Sequence, residues 1–291
     1  MSEAIRGRTV GPDDPLAGVK HVILVMSGKG GVGKSTVCTN LTLALKRRGY
    51  RVGLLDADMY GPSIPTMFGV TGKPRTEGQS LVPLERFGVK LMSLGFLLDD
   101  AHAAVVWRGP MLHSALLQFV KDVRWGELDF LLLDLPPGTG DVALTLAQNL
   151  RCSGAVVVTT PQQVALDDVH KSVSMAKKVG IDLLGIVENQ SYFECEACQH
   201  RHYVFGERGG TAVAEHAQAP LLIQLPLETK VREWGDAGTP VVQASPGSTI
   251  AQAFMELADR VVERAETVAG SAPSLEIDRS GGKNKHLPVT R

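Results

Sequence analysis

The residues Gly28-Lys29-Gly30-Gly31-Val32-Gly33-Lys34-Ser35 fit the pattern G-x-x-x-x-G-K-S/T, the spacing of a loop that cradles phosphates. Glycines at 28, 30, 31 and 33 let backbone N–H groups converge on phosphate oxygens without a Cβ in the way. A helix that begins near Lys34 adds the partial positive charge of its N-terminus. In such a loop Lys34 reaches the β- and γ-phosphates, Ser35 ligates Mg²⁺, and Thr36 is expected at the α-phosphate. Two further stretches carry acids in useful places. Leu54-Leu55-Asp56-Ala57-Asp58 and Phe130-Leu131-Leu132-Leu133-Asp134 each end an apolar run on a carboxylate. An aspartate there holds Mg²⁺, usually through water. Asp134 fits that role, Asp56 is expected to support the ion, and Gly138 downstream is expected to offer a backbone N–H to the γ-phosphate. Taken singly, strand-end aspartates are as readily caps or turn residues; the phosphate loop upstream is what assigns them.

A second chemistry lies at Cys195-Glu196-Ala197-Cys198, followed by His200 and His202. C-x-x-C brings two thiolates within reach of one metal centre, but two do not complete a tetrahedral site. Three arrangements remain open on spacing alone. A symmetric dimer supplies four thiolates, because a residue near a two-fold axis meets its own copy. Zn²⁺ held by Cys195, Cys198 and His200 or His202 is the local alternative. A thiol–disulfide pair is the third, although redox motifs of this spacing open a helix in a much smaller fold. Cys38 and Cys152 read as small buried apolar residues without a role.

The elements that must position these residues are legible as alternating runs. Apolar stretches at His21–Met26, Val52–Asp56, Val89–Leu94, Phe130–Asp134, Ala155–Thr160, Leu183–Val187 and Leu221–Leu225 read as strands. Several are apolar at consecutive positions, as strands buried on both faces are. Helical patterns fall at Lys34–Arg48, Pro110–Val123, Asp141–Leu150, Ala165–Val179, Gly210–Ala217 and Thr249–Thr267. Val37, Leu41, Ala44 and Leu45 give the first a single apolar stripe. Such alternation predicts a single α/β domain over 19–267, a mostly parallel twisted sheet with helices on both faces. Ligands of such sheets bind at the carboxyl ends of the strands, where the motifs fall. Residues 1–18 and 268–291 lack periodicity and read as flexible tails.

Composition narrows the rest. The chain has 291 residues, of which 44% are hydrophobic and 21% charged, with a formal net charge of −1; this is a globular composition without the basic field that nucleic acid requires. No uncharged apolar run approaches the ~20 residues of a spanning helix. The N-terminus has no apolar core of a signal peptide, so a cytoplasmic location is expected. The last helical stretch carries Glu256, Asp259, Glu263 and Glu266 against Arg260 and Arg264, an acidic balance that argues against a membrane or DNA surface.

Lys29 makes the loop Lys-Gly-Gly-Val-Gly-Lys-Ser-Thr, a deviant Walker A pattern that resembles the MinD/ParA/nitrogenase-iron-protein class. With it, Asp56-Ala-Asp-Met-Tyr-Gly-Pro-Ser-Ile-Pro65, Trp107-Arg-Gly-Pro110, Asp134-Leu-Pro-Pro-Gly-Thr-Gly-Asp141, Thr160-Pro-Gln162, Glu188–Cys198, Phe205-Gly206 and Val231–Asp236 resemble the Mrp/ApbC family of P-loop ATPases across about residues 18–266. The resemblance implies slow ATP hydrolysis in a homodimer (a heterodimer in some members). It implies that Lys29 reaches across to the partner's nucleotide, that Asp58 orients the attacking water, and that Asn189 hydrogen-bonds adenine beside a loop at Pro226. It further implies that Cys195 and Cys198 ligate a cluster, usually 4Fe–4S, carried to recipient apo-proteins. Gln190 stands where the family has Met, and Glu196-Ala197 replaces Pro-His, a departure that keeps Zn²⁺ open in place of the cluster. The extra N-terminal domain and N-terminal cysteine motif of some members have no counterpart in the sequence. Two rival readings follow from the same residues: a positioning or partitioning ATPase of the MinD/ParA class, and an ATPase stapled by zinc.

Overall fold

The computed structural model describes residues 7–10, 14–58, 61–97, 109–138, 142, 145, 146 and 149–271. The strands are β1 (Val19–Ser27), β2 (Val52–Asp56), β3 (Arg75–Glu77), β4 (Ser80–Val82), β5 (Leu84–Arg86), β6 (Val89–Ser93), β7 (Leu128–Asp134), β8 (Gly154–Thr159), β9 (Leu183–Glu188), β10 (Phe193–Glu194), β11 (Arg201–His202) and β12 (Leu221–Gln224). Eight of them form one sheet in the order β12-β9-β8-β1-β7-β2-β6-β5. Every pairing in it is parallel except that of the edge strand β5 with β6. The described helices are α1 (Lys34–Arg47), α2 (Ile64–Phe68), α3 (Gly109–Asp122), α4 (Gln163–Lys178), α5 (Gly209–Ala217), α6 (Thr229–Asp236), α7 (Val241–Ala244) and α8 (Thr249–Ser271).

Both sheet faces are covered, which is why the central strands are apolar throughout. Ile23 and Val25 of β1 pack with Val37 and Leu41 of α1 and Phe254 and Leu257 of α8. Val22, Leu24 and Met26 point the other way, toward Leu116, Phe119 and Val120 of α3. Each fully buried Leu or Ile of this kind contributes about 1.5–3 kcal/mol. A smaller cluster seats Val169 and Val173 of α4 and Val213 of α5 on Val157 and Ile186.

The predicted strands and helices recur within one or two residues at most ends. Three differences matter. The stretch before residue 18, expected to be a loose tail, is anchored where it is described. Arg8 pairs its backbone N–H with the Lys20 carbonyl at 2.8 Å, its guanidinium bonds Asp14 and the Val19 carbonyl, and Leu16 is buried in the core. A buried guanidinium needs such partners, and Asp14 supplies the charge. The last helix runs to Ser271, four residues past the expected boundary. Short elements with too few residues for a period, namely α2, α6, α7, the edge strand β5 and the ribbons β3–β4 and β10–β11, lie outside the predicted runs. The expected helix Asp141–Leu150 lies largely outside the described residues, as do Trp107, Arg108 and residues 272–291.

Candidate functional site

The phosphate loop joins β1 to α1 directly, ending at Gly33, the helix N-cap, with φ of 81°. That left-handed conformation costs glycine little and other residues more. No side chain caps α1, so its first-turn amides remain for an anion. Gly28 has a packing requirement as well, which its spacing does not reveal. A Cβ there would lie 2.4 Å from the backbone of Asp168 and Val169 in α4. A glycine here lets the loop lie close against α4.

Lys34 and Asp134 form the buried centre. Lys34 Nζ lies 2.7 Å from Asp134 Oδ1 and 3.2 Å from Ser35 Oγ, so the expected phosphate lysine and both expected Mg²⁺ residues meet. Asp134 Oδ2 is buried without a partner among the described residues. Burial raises the Asp134 carboxyl, and the Lys34 ammonium pulls it back. In the β2–β7 register Asp56 stands opposite Asp134. Burial and the neighbouring Asp134 charge push Asp56 up to about 8. Its oxygens accept from the Asp58 amide (3.1 Å), Ser93 Oγ (3.1 Å) and the Ile64 amide (3.3 Å). Asp56 therefore braces the segment that carries Asp58, which lies half-buried at the rim two residues beyond β2.

Two of the expected nucleotide residues have protein partners in this conformation. Gly138 donates its amide to the Ser27 carbonyl at 3.0 Å, because the turn after β7 folds back onto the end of β1. Asn189 donates Nδ2 to the Val32 carbonyl of the phosphate loop at 2.8 Å, so it reaches the loop itself. Lys29 stays near its own chain, with Nζ 3.4 Å from Gln162 Oε1. Asn189, Pro226, Thr36 and Gly33 do come together, lining a cavity of about 310 Å³ with Gln190 and Leu227.

The cysteine hairpin hangs from the same place. β9 ends at Glu188, and the chain passes through Asn189 and Gln190 into the ribbon β10–β11, whose tip holds both cysteines. The tip is a tight turn: Cys195 N–H donates to the His200 carbonyl and Gln199 N–H to the Cys195 carbonyl. Hydrogen bonds from the amides of Cys198 and Ala197, then from the Cys198 thiol, lower the Cys195 pKa, which favours the thiolate that metals bind. Cys195 is partly exposed and Cys198 exposed. His200 and His202 pack ring against ring, 4.8 Å between centroids, and among the described residues no three His, Cys, Asp or Glu side chains gather to hold a metal. The local zinc set is therefore not assembled here. Phe193, Tyr203 and Val204 of this hairpin are three of the four large apolar residues that are exposed among those described. Cys38 is buried, and burial raises the Cys152 thiol to about 12.

Glu188 is the site residue that sequence reasoning passed over. It is fully buried and accepts from Ser191 Oγ at 2.5 Å, Gln224 Nε2 at 2.7 Å and the Gly210 amide at the start of α5. It thus ties the root of the hairpin to β12 and α5. Its partners stand up to 36 positions away, beyond any local pattern.

The family model for ParA, described as the NUBPL iron-transfer P-loop NTPase, matches residues 18–262. An iron–sulfur cluster carrier protein of Aquifex aeolicus is 52% identical over 246 residues, covering 83% of this chain and 67% of its own. The mouse iron–sulfur cluster transfer protein NUBPL is 46% identical over 263 residues, covering 89% and 82%. Among solved structures, a nucleotide-binding protein of Archaeoglobus fulgidus in complex with ADP aligns with a TM-score of 0.69 at 40% identity, covering 79% of this chain and 92% of that one.

Proposed function

Because the chain belongs to the ParA/NUBPL family of iron-transfer P-loop NTPases, we propose that it binds and slowly hydrolyses ATP while carrying an iron–sulfur cluster, of 4Fe–4S type, to recipient apo-proteins. The observation that carries this reading is the hairpin tip. One chain offers two thiols, one of them lowered in pKa by backbone amides, and no third ligand stands among the described residues. A second copy related by a two-fold axis completes four thiolates. The cluster is cargo here, held by Cys195 and Cys198 of each copy. The protein works in the cytoplasm as a homodimer, without a nucleic-acid or membrane partner; no described helix is long and apolar enough to cross a membrane.

On the nucleotide side, the residues fit ATP and Mg²⁺. Lys34 takes the β- and γ-phosphates, and Ser35 and Asp134 hold the ion, Asp134 through water. The orphaned, buried Asp134 Oδ2 is an acceptor such water would satisfy. Asn189 and Pro226 flank the base. Asp58 orients the attacking water, and Lys29 leaves Gln162 to stabilise charge in the partner's site. Gly138 reaches the γ-phosphate only after releasing Ser27, a change through which triphosphate and diphosphate states differ. A differential affinity of this kind is what coupling to the hairpin requires.

Anaerobic loading with iron and sulfide tests the reading. The wild-type dimer is expected to turn brown with one cluster per two chains by native mass, and Cys195→Ala or Cys198→Ala to stay colourless. Tight zinc that iron does not displace, at one ion per chain, would sink it in favour of a structural staple.

A further inference from the structure

Gln190 follows Asn189 at the end of β9, and its backbone is left-handed, with φ of 54°. Glutamine rarely adopts that region; glycine and asparagine hold it at less cost. The strain is locked in by neighbours on either side. Asn189 N–H donates to the Thr159 carbonyl, Ser191 N–H to the Leu225 carbonyl, and the Tyr192 carbonyl accepts from Leu227, all within 2.8 Å. A strained residue held by a rigid frame points to function at that residue. Gln190 lines the 310 Å³ cavity with Thr36, Asn189 and Pro226, and its carboxamide takes no partner among the described residues. Asn189, in contrast, already spends an N–H on Val32.

We infer that Gln190 reads the nucleobase and sets the preference for adenine, a proposal that rests on the nucleotide reading above. The chemistry is that of a carboxamide, which presents one acceptor and one donor side by side. Adenine shows the complementary pair, the N6 amino group as donor and N7 as acceptor. Guanine shows two acceptors, O6 and N7. One orientation of Gln190 satisfies adenine at both atoms, and no orientation satisfies guanine at both. Asn189 contributes to the cavity wall and to the loop, and discrimination falls to its neighbour.

Calorimetric titration of the Mg²⁺-loaded dimer with ATP, GTP and ITP separates the possibilities. Wild type is expected to bind ATP about tenfold tighter than GTP, within the range of one bidentate base contact. ITP, which keeps O6 but lacks the 2-amino group, should be as weak as GTP. Gln190→Met keeps the side-chain length and loses the preference, to within about threefold. Gln190→Gly also loses it, while its melting temperature does not fall, because glycine relieves the backbone. If both variants keep the tenfold preference, the inference is overturned and the nucleotide reading stands. If wild type binds none of the three, both fall.

Discussion

Replacing Lys34 by Met tests whether the buried centre is a phosphate site alone or also a support of the fold. The pair it breaks is 2.7 Å long, with side chains 6% and 0% exposed. Leaving Asp134 charged and uncompensated costs about 3–5 kcal/mol. Taking up a proton at pH 7 instead costs about 4 kcal/mol, since the ordinary aspartate pKa lies ~3 units lower and each unit is about 1.4 kcal/mol. The cheaper route sets the loss, so Lys34→Met should lower the unfolding free energy by about 3–4 kcal/mol at pH 7 in guanidinium titrations. The sign of its pH dependence follows. Asp134 is already raised by burial, and Lys34 is what pulls it down. Without the lysine its folded pKa lies well above the unfolded one, so the folded chain keeps a proton that the unfolded chain releases. Stability then falls as pH rises from about 4. The gap to wild type should shrink as pH falls from 7 to 5, because the variant's Asp134 keeps its proton to higher pH than wild type's. Asp56, at about 8, is present in both proteins, but part of its rise comes from the Asp134 charge, so it responds to the same protonation. Lys34→Met/Asp134→Asn removes both charges and should recover most of the loss, while nucleotide binding stays abolished in both variants. Equal losses at pH 5 and pH 7, or no recovery in the double variant, would refute the account.

Asp58→Asn should bind ATP like wild type and turn it over at least about 100-fold more slowly, measured as phosphate release; unchanged turnover would remove Asp58 from the water-orienting role. Asp129 has the opposite titration sign to Asp56. Burial alone would raise it, but hydrogen bonds from Arg51 and Lys20 override that and hold it well below the usual carboxylate range. Its contribution, about 1.5–3 kcal/mol, is present above pH ~4 and is lost as pH falls toward the folded pKa. Asp129→Asn should therefore flatten the acid limb of stability between about pH 4 and pH 2, and an unchanged limb would contradict the assignment.

The parallel sheet could be read from the sequence because its central strands are buried on both faces, and unbroken apolar runs such as Phe130–Leu133 record that directly. The phosphate loop was legible because its chemistry is confined to eight consecutive positions. What escaped are features made by the third dimension. The Lys34–Asp134 pair spans 100 positions. Gly28 lies against the backbone of α4, which spacing alone does not reveal. Gly138 carried a correct turn signal, yet the partner of its amide depends on how that turn meets β1. The anchored Arg8 and Leu16 escaped because a short irregular stretch has no period to detect, although polar and apolar contacts bury these two side chains.

Only six positions separate Asn189, which touches the phosphate loop, from Cys195 at the hairpin tip, and Glu188 clamps the near end of that span. Any coupling carried along that span runs both ways. If a bound base strengthens or loosens the grip of the thiols by some factor, a loaded metal centre must alter the grip on the base by that same factor. Measuring ATP affinity with and without cargo would then report on unloading without following any recipient.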